Sequence, residues 1–174
     1  GLGTFGIIVG ANGGTTNIRN NMIYAIKADG DVFNTATDIS WMPAGIMLAV
    51  PMTGVNLDNN SIYMSGATLG STFTGNSACI SAVAGSTNIN IRNNALRNSQ
   101  TTSGAPVAGN KTYAIATLSG STNAMFGVIE NNDYFVNGVN PHVGALTGTD
   151  RTTLGDWQAA SGQDAASIDT DPEF

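Results

Sequence analysis

The sequence predicts an all-β chain wound as a parallel β-solenoid of about four coils and closed by a short C-terminal helix. Three observations predict it. The composition belongs to a chain that turns often: 22 glycines and 20 asparagines, with 10% charged against 41% hydrophobic residues. Four segments align on an Asn-Asn pair at a spacing typical of stacked coils. Inside those segments apolar and polar residues alternate with a period of two, which is the period of a strand.

At 174 residues the chain is long enough for one sizeable core. The runs GIIVG (6–10), GIMLAV (45–50) and ACISAV (78–83) exclude a disordered segment. A net charge of −6, with six scattered basic residues, argues against nucleic acid or an anionic membrane as partner, since both need clustered Lys or Arg. Cys79 is the only cysteine, so there is no intrachain disulfide and no zinc site built on paired cysteines. Beside Ile80 in an apolar run, it reads as a small buried hydrophobe. No stretch approaches the ~20 apolar residues of a membrane helix. The chain opens on Gly1 already reading as strand and is taken as a mature fragment or excised region of a longer protein.

The repeat is explicit. Thr16-Asn-Ile-Arg-Asn-Asn-Met-Ile-Tyr24, Val55-Asn-Leu-Asp-Asn-Asn-Ser-Ile-Tyr63, Ile89-Asn-Ile-Arg-Asn-Asn-Ala-Leu-Arg97 and Gly127-Val-Ile-Glu-Asn-Asn-Asp-Tyr-Phe135 align without gaps. The second Asn falls at Asn21, Asn60, Asn94 and Asn132, giving steps of 39, 34 and 38 residues. A further apolar run and a Gly/Ser/Thr turn precede each segment, so one unit reads strand, turn, strand, Asn-Asn corner, short strand, variable loop. Helical repeats of similar length would show a 3.6-residue period and far fewer Gly and Asn.

Stacking these units at ~4.8 Å places equivalent residues in columns. Ile18, Leu57, Ile91 and Ile129 point inward, and Ile23, Ile62, Leu96 and Tyr134 form the next inward column. Asn20, Asn59, Asn93 and Asn131 are expected inward in one Asn column, with Asn21, Asn60, Asn94 and Asn132 in another. One column can chain amide hydrogen bonds from coil to coil; the other can adopt the left-handed conformation that a sharp corner needs. The outward column reads Arg19, Asp58, Arg92, Glu130, alternating in sign. It is a register mark, because a one-residue slip would break it and turn apolar side chains outward.

The tail runs Leu154-Gly-Asp-Trp157-Gln-Ala-Ala-Ser-Gly162-Gln-Asp164 and ends Asp171-Pro172-Glu-Phe174. Thr153 with Asp156 is capping-box-like, Gly162 is placed to end a helix, and Leu154 and Trp157 share a face. A helix over about 153–161 is expected to lay Trp157 across the end of the solenoid and hide its strand edges. Residues 1–150 are thus taken as coils and 151–174 as a capping segment. No comparable cap precedes residue 6, which suggests further coils or another domain N-terminal to this piece.

The Asn corners, with the Leu, Trp-Gln, Gly-x-Asp, Ser and Asp-Pro-x-Phe pattern of the tail, resemble the C-terminal part of right-handed parallel β-helix domains of the pectate-lyase-like class. Such domains occur in large secreted bacterial surface proteins. The resemblance implies a right-handed coil and a secreted or cell-surface location. It leaves the activity open, since the class includes polysaccharide lyases, glycosidases, adhesins and structural modules.

Catalysis in that class needs a Ca²⁺-binding carboxylate cluster with an Arg or Lys base, or paired Asp residues on one face. The repeats offer only Asp58 and Glu130, two coils apart with Arg92 between them. No catalytic residue is therefore assigned. Asp133 lacks an obvious carboxylate partner, and Arg97 is the best candidate for an odd exposed base. His142, after Pro141, reads as an exposed loop residue. Asp29-Gly-Asp31 could lend two oxygen ligands to Ca²⁺, but no EF-hand pattern follows. Asn59-Asn-Ser61 and Asn110-Lys-Thr112 match the glycosylation sequon and are discounted. The loops at about 27–44 and 98–111 are where a ligand contact would lie, with Trp41 and Met42 either covering the coil beneath or touching an extracellular glycan or protein.

Three functions stay in play at this stage. The leading expectation is a non-catalytic structural or adhesive module of a larger secreted or cell-surface protein. The alternatives are part of a polysaccharide lyase or glycoside hydrolase, and a self-assembling surface filament subunit.

Overall fold

The computed structural model describes residues 4–27, 42–69, 75–102, 105 and 109–174, the side chains of 67–69 excepted. In chain order the elements are β1 (Phe5–Val9), β2 (Thr16–Arg19), β3 (Met22–Tyr24), β4 (Ala44–Leu48), β5 (Thr53–Asp58), β6 (Ser61–Met64), β7 (Ala67–Leu69) and β8 (Asn76–Ala82). There follow β9 (Thr87–Arg92), β10 (Ala95–Asn98), β11 (Thr101–Thr102), β12 (Lys111–Thr117), β13 (Phe126–Glu130), β14 (Asp133–Val136), β15 (Pro141–Leu146), β16 (Thr149–Arg151) and α1 (Leu154–Ser161).

Each main strand of a coil pairs in parallel with its equivalent in the next coil. The first sheet runs β1-β4-β8-β12-β15, with β16 added antiparallel. The second runs β2-β5-β9-β13 and the third β3-β6-β10-β14. A two-stranded parallel pair of β7 and β11 lies in the loop layer. The architecture is the parallel β-solenoid that the repeat predicts. The coil count differs slightly: the four Asn corners bound three full steps, so about three complete turns are wound rather than four.

The three sheets differ in pattern for a physical reason. The second and third sheets face solvent on one side, so their strands alternate, as in β6 and β10. In the first sheet the inner strands β4 and β8 are buried on both faces throughout, while β1 at its edge alternates. These inner strands are accordingly the unbroken apolar runs GIMLAV and ACISAV, the signature of parallel strands without a wet face. Inside, Ile18-Leu57-Ile91-Ile129 and Ile23-Ile62-Leu96-Tyr134 stack in register and meet Ile46, Leu48, Ile80 and Ile115 from the first sheet. Cys79 lies in this core, level with Gly45 and Ala114, where the first sheet comes close to the third. Its Sγ approaches the Arg97 carbonyl at 3.3 Å, and burial pushes the thiol far above its ordinary range.

The two asparagines of each corner divide their work, and the first does not point inward. Asn20, Asn59, Asn93 and Asn131 are exposed, with φ of 57°, 55°, 55° and 56°, so they make the left-handed bend and face water. The second Asn turns in. Its Oδ1 accepts two bonds from the preceding corner, one from a backbone N–H and one from a side-chain amide. Asn60 receives them from Asn21 at 3.2 and 2.9 Å, Asn94 from Asn60 at 2.9 and 3.0 Å, and Asn132 from Asn94 at 3.0 and 3.0 Å. The Nδ2 groups of Asn60, Asn94 and Asn132 also donate to the carbonyls of Ile18, Leu57 and Ile91.

The C-terminal end is a fifth level built from unlike parts. In the first sheet β15 pairs with β12. Over the second, the Gln163 Oε1 accepts the Ile129 N–H at 2.9 Å. In the third, Ile168 bridges to Asp133 and exchanges backbone bonds with Asn132 and Tyr134, each at 2.9 Å. At the corner the Ser167 Oγ accepts the Asn132 N–H at 2.8 Å, where earlier levels use an Asn Oδ1. Ser167 lies 35 residues beyond Asn132, so the period continues through the tail.

Replacing Asn94 by Ala should strand the buried Asn60 donors and the Leu57 carbonyl and destabilise the fold by about 2–4 kcal/mol. Replacing Asn93 by Gly keeps the left-handed bend and should shift stability by less than about 1 kcal/mol. Chemical denaturation of both variants checks the contrast; equal losses would show that the second Asn carries no special share.

Candidate functional site

Three groupings bring together the charged and polar side chains that could carry chemistry: the outward column of the second sheet, the C-terminal cap, and a cluster on the last strands of the first sheet.

The outward column is held in register by β2, β5, β9 and β13. Asp58 is its centre and is 6% exposed, more buried than an outward carboxylate is expected to be. The Arg19 Nε donates to its Oδ2 at 2.8 Å, while Arg92 grips it as a fork, with Nε to Oδ1 at 2.9 Å and Nη2 to Oδ2 at 3.1 Å. That bond, reinforced by the charges of Asp58 and Glu130, raises the Arg92 guanidinium above its ordinary value despite some burial. Glu130 is level with Arg92 yet makes no direct ion pair among the described residues. A second, partly exposed ladder lies alongside: the Asn56 Nδ2 donates to the Asn17 Oδ1 at 2.9 Å and the Asn90 Nδ2 to the Asn56 Oδ1 at 3.0 Å. The same alignment carries its signal, since Asn17, Asn56 and Asn90 each precede the inward Ile or Leu.

At the cap, α1 begins with a full capping box between Thr153 and Asp156 and ends at Gly162 with φ 70°. Trp157 is fully buried and lies flat against Gly144, where any side chain would strike the indole ring. Its ring meets Phe126 edge-on at 5.8 Å. The unforeseen residue is Asp164. It is one of several acids in the tail, but it is 3% exposed and accepts from the Trp157 Nε1 at 2.8 Å and the Tyr134 hydroxyl at 2.6 Å, with the Ser167 hydroxyl on its other oxygen. Burial, then the carboxylate, drives the Tyr134 hydroxyl well above its usual value and keeps it a donor.

The third grouping was not legible as a cluster. His142 is not in an exposed loop: it lies in β15, 8% exposed, with its ring stacked on Tyr113 at 5.6 Å. Asp150 in β16 accepts from the Lys111 Nζ at 2.6 Å and the Tyr113 hydroxyl at 2.8 Å. The His142 Nδ1 meets the Thr152 Oγ1 at 3.2 Å. Its Nε2 is buried without a hydrogen bond, 3.9 Å from the Asp150 carboxylate. Burial lowers the imidazole pKa; Asp150 opposes this and Lys111 adds to it, with a lowered result. Burial alone would raise Asp150, but the bonds from Lys111 and Tyr113 outweigh it and hold the carboxyl low. A carboxylate committed to two donors beside a neutral, enclosed imidazole ties β12, β15 and β16 together more readily than it moves protons to a substrate.

Other sequence candidates fall into place singly. Arg97 is not a free base: its guanidinium lies 4.9 Å from the Tyr63 ring and 5.3 Å from the Phe135 ring, and Nη1 donates to Asp171 at 2.6 Å. Asp133 accepts from the Thr170 N–H and hydroxyl at 3.1 and 3.3 Å, and burial raises it above its ordinary value. The Asn110 sequon side chain is buried, its Oδ1 accepting the Gly75 N–H. Met42 is fully buried against Ala78 and Tyr113. Trp41, Asp29 and Asp31 lie outside the described residues. Comparison with protein-family models, curated proteins and solved structures gives no match.

The cluster has a pH signature of fixed sign. A histidine lowered from 6.5 contributes stability that is complete above that value and declines as pH falls toward its folded value. Asp150, lowered from 3.8, adds a second loss below that value. Melting temperature should therefore begin to fall below about pH 6.5, and His142→Asn should flatten this first leg. An unchanged profile in the variant would remove His142 from the account.

Proposed function

We propose that this chain is a non-catalytic structural and adhesive β-solenoid module of a larger secreted or cell-surface protein of the β-helix class, bacterial in origin. One observation carries the reading: the carboxylates that lie beside a cationic side chain are committed to it in ion pairs. Asp58 is shared by Arg19 and Arg92, Arg97 is held by Asp171, and Asp150 by Lys111. These pairs, with two asparagine ladders, favour a stiff spacer over a cleft that binds and cleaves. The capped C-terminal end speaks against end-to-end filament growth. In this reading the segments at about 27–44 and 98–111 supply the contact with an extracellular glycan or protein.

The polysaccharide lyase or glycosidase reading draws on the His142–Asp150–Lys111 cluster, where an imidazole, an ammonium and a carboxylate converge. Incubation with a panel of acidic and neutral polysaccharides, scoring new reducing ends and unsaturated uronate absorbance, separates the two. No product is expected. Turnover abolished by Asp150→Asn and retained by Asp58→Asn would replace the structural reading with the enzymatic one.

A further inference from the structure

We propose that the N-terminal face of the solenoid, formed by the outer edges of β1, β2 and β3, is a docking surface for one further parallel coil of defined chemistry. That coil presents a carboxylate opposite Arg19 and an asparagine opposite Asn21. The proposal rests on the structural reading of the module and adds the recognition rule for its neighbour.

The two ends of the solenoid are unlike. At the C-terminal end each sheet edge is taken, by β15, Gln163 and Ile168. Among the described residues nothing pairs with the outer edges of β1, β2 and β3, which end their sheets. Core exposure follows the same polarity. Ile18 and Ile23 in the first coil are 7% and 8% exposed, whereas Leu57 and Ile62 one coil in are sealed, and Ile129 and Tyr134 under the cap are 2% and 1%. Ile8, Met22 and Tyr24, all on the edge strands β1 and β3, are 51%, 76% and 69% exposed. A row of unpaired strand groups flanked by apolar side chains is a template for another strand.

Two features say which strand. In every later corner the Asn Oδ1 accepts a backbone N–H and an amide N–H from the asparagine before it. The Asn21 Oδ1 receives no such pair among the described residues. A backbone N–H alone would supply one of the two bonds; an asparagine at the equivalent corner supplies both, as Asn21, Asn60 and Asn94 do for the corner that follows each. The charge column gives the sign. Asp58 has an arginine on either side, and Arg92 has a carboxylate level with it on either side, but Arg19 has Asp58 alone and stays 46% exposed at its side chain. A carboxylate in register completes the alternation; a lysine or arginine would set like charges ~4.8 Å apart. The occupant is a coil of this repeat carried in the same polypeptide. A second copy cannot supply it, because the matching edges of that copy are covered by its own cap.

The test uses the chain from Gly3 onward with a copy of its own residues 42–75 joined ahead of it. The register Phe5↔Ala44 then sets the copied Asp58 opposite Arg19 and the copied Asn60 opposite Asn21. Amide exchange in β2 and β3 should slow about tenfold or more, with a higher melting temperature. Asp58→Arg in the copy, or Asn60→Ala in the copy, should each forfeit most of that protection. Unchanged exchange at β2 and β3, including the case where the copy stays unfolded, overturns the docking surface. Equal protection from all three extensions overturns its chemistry. Polysaccharide turnover bears on the structural reading alone, so the two can fail separately.

Discussion

A chain that turns a sharp corner inside a solenoid points backbone groups toward an apolar core, and each needs a partner. The Asn60, Asn94 and Asn132 side chains meet that need with one oxygen. Each Oδ1 takes the backbone donor of the previous corner and the amide of its asparagine, while the same residue's Nδ2 reaches back to a carbonyl. The bonds run between coils, so no coil satisfies its own corner. A unit of this kind has no reason to fold alone, and its stability is shared with its neighbours along one dimension. Spacing, register and the inward Ile columns follow, because shifting one coil by a residue would unpair its corner and bury Arg19 or Asp58 where Ile18 and Leu57 belong.

Seen this way, the cap is a coil reduced to its obligations. The solenoid must end somewhere, and every edge it leaves needs an answer. Strand β15 answers for the first sheet, Gln163 for the second and Ile168 for the third, while Ser167 gives the last asparagine an acceptor. Between them α1 lowers Trp157 onto Gly144, filling the space that the next Ile layer would occupy. A buried indole N–H and a buried phenol both need acceptors, and Asp164 serves both. One carboxylate thus joins the last core tyrosine to the plug that covers it.

The architecture could be read from the sequence because its determinants are repeated: four Asn pairs, four inward aliphatics and four charges at the same places within each unit. The cap helix was legible too, through Thr153, Asp156 and Gly162, whose capping chemistry is local. What escaped was set by contacts far apart in the chain. Nothing near His142 announces that β15 will pair with β12 and stack its ring on Tyr113. Asp164 resembles the other tail acids until Tyr134, thirty residues earlier, is brought against it. Arg97 looked exposed because it lies outward, yet two aromatic rings and Asp171 enclose it. The assignment of Asn20 inward failed on backbone conformation: a residue at φ 57° leaves the strand alternation, so the period of two stops at the corner and restarts beyond it.

These placements bear on chemistry as well as on fold. Acid–base catalysis needs a group whose proton is free to move and whose position meets a substrate. Here the carboxylates that lie near a base are held by it: Asp58 by two guanidiniums, Asp150 by an ammonium and a phenol, Asp171 by a guanidinium. Each such pair on a solvent-facing surface is worth little singly, about 0–1 kcal/mol. Repeated along a one-dimensional stack, they favour one register over its neighbours, and stiffness follows from that choice. A surface spent on register leaves its variable loops as the ground on which recognition could differ from one coil to the next.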